Sequence, residues 1–220
     1  MEQRIDSATA YIILADGFET IEALTPLDVL RRCGVEVTTI SLNQTRAVRS
    51  SHGVTVEADA TMEEYMLKRS NAGSSSSVSS ASGSTNTSNA GSSTGAGSCP
   101  RQALILPGGY PGYKNLCDSP EVGALITQFH KEGKLLCAIC GAPTALKANQ
   151  ICRGAAITCH TSVKEELSDY YSILSSAVVK YMNIITGMGA GRSLDFAFAI
   201  AESLTSKEKV EEIKAKMEII

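Results

Sequence analysis

The segment Leu135-Leu136-Cys137-Ala138-Ile139-Cys140-Gly141-Ala142-Pro143 carries the residue types a nucleophile needs, in a workable order. An apolar strand runs directly into Cys140, small residues stand two places before it and two after, and helix-compatible sequence follows. That is the pattern of a nucleophile elbow, a strand-to-helix turn so tight that it tolerates only small neighbours and projects its central side chain into a cleft. At a helix N-terminus the dipole and the unpaired N–H groups favour a thiolate, so the pattern predicts a thiol acidified below its ordinary value and nucleophilic at neutral pH. The competing reading is a buried structural cysteine at a strand end.

Cys137 and Cys140 also spell C-x-x-C. A three-residue offset that begins inside a strand points the two side chains to opposite faces, whereas a redox pair needs both sulfurs in a helix-opening turn. Cys152, Cys159 and His160 add no paired knuckles, so a zinc site is not expected. A nucleophile needs an oxyanion site and proton-handling partners. Pro107-Gly108-Gly109 directly follows the strand-like run Ala103–Leu106, and glycines there let backbone N–H groups approach a ligand, which nominates Gly109 and Gly141 as donors and Gly108 as cleft lining. A plain Pro-Gly-Gly turn is the alternative. His52 lies in a polar turn and His130 on a charged helical face, while His160 alone follows a strand at the right end. It is either a group that orients or protonates around Cys140 or a structural histidine. Glu19 and Glu22 follow the first strand. They either favour a helix N-terminus, or Glu22 turns inward, where burial beside a thiolate raises its pKa and a protonated carboxyl donates to sulfur.

The loop Gly187-Met188-Gly189-Ala190-Gly191 opens a helix, but Arg192 occupies the sixth position of a dinucleotide fingerprint and the segment comes last rather than first. Gly189 and Ala190 are therefore expected to line the cleft, with no nucleotide and no other cofactor.

These residues need elements to position them. With 220 residues, 43% hydrophobic, 20% charged and a net charge of -3, the chain suits one domain with a full-sized core. Lys and Arg are scattered, which argues against nucleic acid as a partner. Met1–Ala10 has no apolar leader core and the run Tyr11–Leu14 ends at Asp16, so neither secretion nor membrane anchoring is expected. Seven irregularly spaced cysteines suit free thiols in a reducing, cytoplasmic setting. Residues Ser70–Ser98 are nearly all Ser, Gly, Ala, Asn and Thr, and predict a disordered insertion in that single domain, because they cannot offset an ordering cost of roughly 1–2 kcal/mol per residue.

On either side, apolar runs alternate with amphipathic stretches, which reads as α/β with a mostly parallel sheet. Expected strands are Ala10–Leu14, Val35–Ser41, Val54–Glu57, Ala103–Leu106, Leu135–Ile139, Ala156–Thr158, Ala177–Tyr181 and Asn183–Thr186. Expected helices are Thr20–Cys33, Met62–Lys68, Pro120–Glu132, Gly141–Ala148, Val163–Leu167, Arg192–Leu204 and Lys207–Met217, the last capped by Ser206. Pro26 predicts a kink in the first helix or a restart capped by Thr25.

The blocks Ala15–Glu22, Leu106–Gly109, Ala138–Leu146, Thr158–His160 and Gly189–Gly191 with Asp195–Ala197 together resemble the ThiJ/PfpI superfamily, in its DJ-one deglycase branch. The resemblance covers nearly the whole chain except the Ser-rich tract. It implies a flavodoxin-like three-layer sandwich, usually a homodimer, and makes Cys140 the reactive cysteine. Glu22 becomes its hydrogen-bond partner, His160 the nearby histidine, and Gly109 and Gly141 the backbone donors. Protease-like members place a histidine directly after the cysteine, and the related glutamine amidotransferases an acid two after the histidine. Here those positions are Gly141 and Ser162, which disfavours both activities. His52 stands where relatives often have arginine, a loss that Arg32 or Arg49 is placed to offset, and Ala190 where they often have proline, which loosens the pocket wall. The expected chemistry is cofactor-free glyoxalase or deglycase action on small α-oxoaldehydes or their early adducts through a Cys140 hemithioacetal. The alternative is an oxidative-stress sensor or chaperone whose Cys140 is oxidised to sulfinate.

Overall fold

Short apolar strands and amphipathic helices fold into a seven-stranded sheet covered on both faces. The computed structural model describes residues 8–74 and 102–219. Its first half comprises β1 (Thr9–Leu14), α1 (Thr20–Arg32), β2 (Glu36–Ser41), β3 (Ala47–Arg49), β4 (Thr55–Glu57), β5 (Ala60–Thr61) and α2 (Met62–Ser74). Next come β6 (Gln102–Leu106), α3 (Gly112–Asp118), α4 (Pro120–Lys131), β7 (Leu135–Ile139), α5 (Pro143–Ala148), β8 (Ala156–Ile157) and α6 (Lys164–Ser168). The chain ends with β9 (Ser172–Ile173), β10 (Val178–Tyr181), β11 (Ile184–Gly187), α7 (Ser193–Leu204) and α8 (Lys207–Lys216).

The period-two alternation of strand side chains divides the core. Ala10, Ile12 and Leu14 of β1, Ala103 and Ile105 of β6, and Leu135, Cys137 and Ile139 of β7 share one cluster with residues of α1, α7 and α8. Ile13, Leu104, Leu106, Leu136 and Ala138 join the opposite cluster with α2, α4 and α5. Each fully buried Leu, Ile or Phe contributes about 1.5–3 kcal/mol, so strands that are apolar on both faces are stable only between two helical layers. The result is the expected flavodoxin-like α/β sandwich.

The strand order is β10-β11-β7-β6-β1-β2-β5, parallel throughout except β10 against β11. From β1 the chain moves outward to β2 and β5, then returns to β6 on the other side of β1. That reversal makes the carboxyl end of β1 and β6 the switch point of the sheet, where the loops after β1, β6 and β7 converge.

Several local expectations change. Helix α1 runs through Pro26 without a restart at Thr25. Proline removes only the hydrogen bond to the Glu22 carbonyl, and the buried Val29 and Leu30 hold the following turns against the core. Helix α2 continues to Ser74, so Ser70–Ser74 of the Ser-rich tract are helical; the Ser70 hydroxyl donates to the Met66 carbonyl at 2.8 Å. The rest of that tract lies outside the described residues. Strands β3, β5 and β9 and helix α3 have no periodic apolar signal. β4 pairs with β3 in a hairpin off the main sheet, and β8 pairs with β9. Ser206 caps α8 as expected, its hydroxyl accepting from the Lys209 N–H at 3.2 Å.

Candidate active site

Cys140 has φ 66, in the left-handed region, where a residue with a Cβ is strained by about 1–2 kcal/mol. Two backbone hydrogen bonds hold it there. Its N–H donates to the Gly187 carbonyl at 3.0 Å, extending the β7–β11 pairing, and its carbonyl accepts from the His160 N–H at 2.9 Å. The Ala142 N–H reaches back to the Ile139 carbonyl at 3.1 Å and closes the turn, and α5 begins at Pro143 rather than at Gly141. A Cβ on Gly141 would lie 2.7 Å from the Tyr113 ring, so any larger residue after the nucleophile requires that ring to move. The elbow read from the sequence is present.

Glu22, in the first turn of α1, is completely buried. Its Oε2 accepts the Gly108 N–H at 2.8 Å, while Oε1 has no hydrogen-bond partner among the described residues. A Cβ on Gly108 would stand 2.6 Å from Glu22 Oε2 and 2.6 Å from the Cys140 Cβ, so this glycine is what lets acid and thiol approach each other. Gly108 is thus a buried donor to the acid rather than the cleft-lining residue expected from the sequence, and the cavity wall begins at Gly109. Gly109 has φ 90, and a Cβ there would fall 2.3 Å from the Glu19 nitrogen. The loops after β1 and β6 are therefore joined backbone to backbone, with the Glu19 N–H donating to the Gly108 carbonyl at 2.9 Å.

Burial pushes the Glu22 carboxyl up from 4.5 to about 7, against the lowering effect of the Gly108 N–H and the Cys140 thiol. Burial, reinforced by the charge of Glu22, pushes the Cys140 thiol up to about 12, while the backbone N–H groups of Gly109 and Gly141 favour its anion. Desolvation and the neighbouring acid thus act against the turn's dipoles, which alone carry the expectation of an acidified thiol. The chemistry belongs to the pair. Between about 7 and about 12 it holds one proton and one negative charge.

The pair opens into a cavity of about 460 Å³ that is also lined by Gly109, His160, Gly189 and Ala190. His160 is exposed; its Nδ1 accepts the Ser162 N–H at 3.2 Å and lies 2.8 Å from the Ser162 hydroxyl, and no hydrogen bond among the described residues joins the ring to Cys140. The structure brings His160 to the cavity wall, where its backbone, not its ring, supports the cysteine. Gly189 packs by the ring, with room for a Cβ 3.5 Å from His160 Cδ2.

Two lining residues escaped the sequence reading in this role, Glu19 and Arg192, while Met188 and Gly191 come from the glycine-rich loop expected to line the cleft. Glu19 Oε2 accepts from the Ser51 hydroxyl at 3.2 Å and stands 3.3 Å from His52 Nδ1. Arg192 had a signal, since it interrupts the glycine-rich loop opening α7. Arg32 and Arg49 do not line the cavity. Arg32 bonds Asp28 at 2.7 Å in the last turn of α1, and the Arg49 backbone is tied to Asp16 and Gly17. Cys137 is fully buried, and burial pushes its thiol up; the cysteines among the described residues are all free.

Comparison with known proteins agrees with this geometry. The family model described as DJ-1/PfpI family matches residues 8–203. Protein dj-1beta of Drosophila melanogaster is 33% identical over 208 residues, 94% of this chain and 95% of that protein. Its crystal structure superposes with a TM-score of 0.79, covering 97% of this chain and 99% of that one. A Caenorhabditis elegans protein named glutathione-independent glyoxalase DJR-1.2 is 38% identical over 107 residues, 48% of this chain and 56% of that protein.

Proposed function

The chain belongs to the DJ-1/PfpI family, and on that premise we propose that it is a cofactor-free glyoxalase acting on small α-oxoaldehydes, or on their early adducts in a deglycase reaction. One observation carries the reading: the strained Cys140 elbow stands beside a fully buried Glu22, both within 2.6 Å of the place a Cβ on Gly108 would take, and burial pushes that carboxyl up to about 7. The resemblance to a named glyoxalase supports the substrate class.

In the proposed reaction, Glu22 takes the thiol proton as Cys140 sulfur bonds to the aldehyde carbon. The carbonyl oxygen becomes an oxyanion held by the two glycine N–H groups and is protonated to a hemithioacetal. Glu22 then removes the C–H proton, giving an enediolate, and returns a proton to the adjacent carbon. The resulting thioester is cleaved by water, which yields a 2-hydroxy acid and restores the thiol. Carbon is oxidised at one centre and reduced at its neighbour, so the step needs no external oxidant. Incubation with methylglyoxal should form lactate, and Cys140→Ala should abolish it; no turnover, or equal turnover by that variant, excludes the mechanism.

A second reading, oxidation sensing with an associated chaperone role, is favoured by the access of Cys140 to the cavity while Cys33, Cys137 and Cys159 are buried. The same N–H donors and a protonated Glu22 suit a sulfinate. Mild peroxide should then oxidise Cys140 ahead of the partly exposed Cys117 and Cys152, and equal modification of all three counts against a tuned sensor. The family resemblance extends the proposal to a homodimer, for which sedimentation should report twice the chain mass. No described helix is long and apolar enough to cross a membrane, and a cytoplasmic location is part of the same proposal.

A further inference from the structure

The catalytic cavity is larger than a three-carbon oxoaldehyde requires. At about 460 Å³ it falls within the range of about 300–1,000 Å³ that accommodates drug-sized ligands. The reacting end of a substrate is already provided for by Cys140, Glu22 and the Gly109 and Gly141 N–H groups. What remains is the wall made by the loop before α7, and there Arg192 is the sole lysine or arginine among the described residues that line the cavity.

Arg192 has little else to do. Its side chain is 57% exposed, and its one ion pair, with Asp195, spans 3.6 Å. An exposed pair of that kind contributes about 0–1 kcal/mol and exchanges readily for a ligand. Glu19 lines the same cavity but is engaged by Ser51 and His52.

Building on the proposed oxoaldehyde chemistry, we propose that the preferred substrate carries a carboxylate at the end remote from the aldehyde, and that the Arg192 guanidinium binds it. The fork of N–H donors on arginine matches a planar carboxylate. Glu19 in the same cavity disfavours a dianion, which makes a carboxylate the better partner than a phosphate. Arg192 is then a specificity residue whose contribution is the same in the ground state and the transition state, so it acts on KM rather than kcat.

Two measurements test this. The first compares 4,5-dioxopentanoate with 2-oxopentanal, an oxoaldehyde of equal chain length without the carboxylate. The wild type should favour the acid, and Arg192→Gln should reduce the ratio of the two kcat/KM values about tenfold or more, as expected for a hydrogen bond to a charged group. The loss should appear in KM, with Arg192→Lys intermediate. The second compares alkylation of Cys140 by iodoacetate and by iodoacetamide, in which sulfur bonds to carbon and iodide leaves. Arg192→Gln should lower the iodoacetate to iodoacetamide rate ratio while requiring no turnover. If no oxoaldehyde is turned over and the alkylation ratio still falls, the anion site stands and the glyoxalase reading fails. If turnover is present and neither ratio moves, the anion site is overturned. Equal loss on both oxoaldehydes also overturns it, because the guanidinium would then act at the reacting carbons.

Discussion

Replacing Glu22 with glutamine should change how stability depends on pH, and the structure sets both sign and size. The Glu22 carboxyl keeps its proton up to about 7 in the folded chain but only to the ordinary 4.5 when unfolded, because folding buries it completely. Between those values the folded state binds more protons than the unfolded state, so stability falls as pH rises. The contribution is fully present below 4.5 and lost once pH passes about 7, and the gap is worth about 3 kcal/mol. Glutamine keeps an acceptor for the Gly108 N–H at nearly the same volume and does not ionise. Urea unfolding of both proteins at intervals from about pH 4 to about pH 8 should show the wild type losing about 3 kcal/mol relative to Glu22→Gln. Carboxylates with lowered values, such as Asp59 and Glu64, contribute slopes of the opposite sign that cancel in the difference. Parallel profiles, offset by a constant amount, would falsify the claim that folding buries an acid at an energetic cost.

The alkylation rate of Cys140 by iodoacetamide should rise through about pH 7, where the pair loses its first proton, and Glu22→Gln should abolish that inflection. Gly108→Ala places a Cβ 2.6 Å from both Glu22 Oε2 and the Cys140 Cβ, and should reduce kcat/KM for methylglyoxal at least about a hundredfold while destabilising the fold by about 1–3 kcal/mol, read by thermal unfolding. His160→Ala should be milder than Glu22→Gln, about tenfold or less in kcat/KM, because the imidazole bonds Ser162 rather than the thiol. A larger loss for His160→Ala than for Glu22→Gln would reverse their assigned roles.

Cys140 was legible because an elbow imposes its conditions on adjacent residues: Ala138, Gly141 and Ala142 are small for local reasons that a sequence displays. The central strands were legible for a related reason, since burial on both faces leaves continuous apolar runs in β1, β6 and β7. Glu22 remained ambiguous. Whether a first-turn glutamate faces solvent or core depends on the approach of Gly108, eighty-six positions away, with which it forms its hydrogen bond. The environment of Cys140 is only partly legible on the same ground, because desolvation is a property of the assembled crevice and the dipole argument counts only the local turn. Arg192 stands out in the sequence only as an interruption of a glycine pattern, and its place on the cavity wall is set by the assembled loops rather than by its neighbours. Helix α3 buries only Gly112 and Leu116, too few residues to establish a period.

The distribution of these features explains which parts of the site tolerate change. A buried acid near 7 and a cysteine at φ 66 together cost about 4–5 kcal/mol, a large share of the 5–15 kcal/mol by which a domain is stable. Strain of that size persists only where the surroundings over-determine the geometry. Here the constraint comes largely from main chain: the Gly187 carbonyl and the His160 N–H clamp the Cys140 backbone, the Gly108 N–H holds the Glu22 carboxyl, and the Glu19 N–H ties the loop that carries Gly108 and Gly109. Each of Gly108, Gly109, Gly141 and Gly187 would bring a Cβ within 3.0 Å of a neighbouring atom. The reacting centre is thus fixed by main chain that side-chain substitution leaves in place. The far wall, with Gly189 open to a Cβ and Arg192 held only by Asp195, carries no such constraint and is where substrate preference can change without disturbing the chemistry.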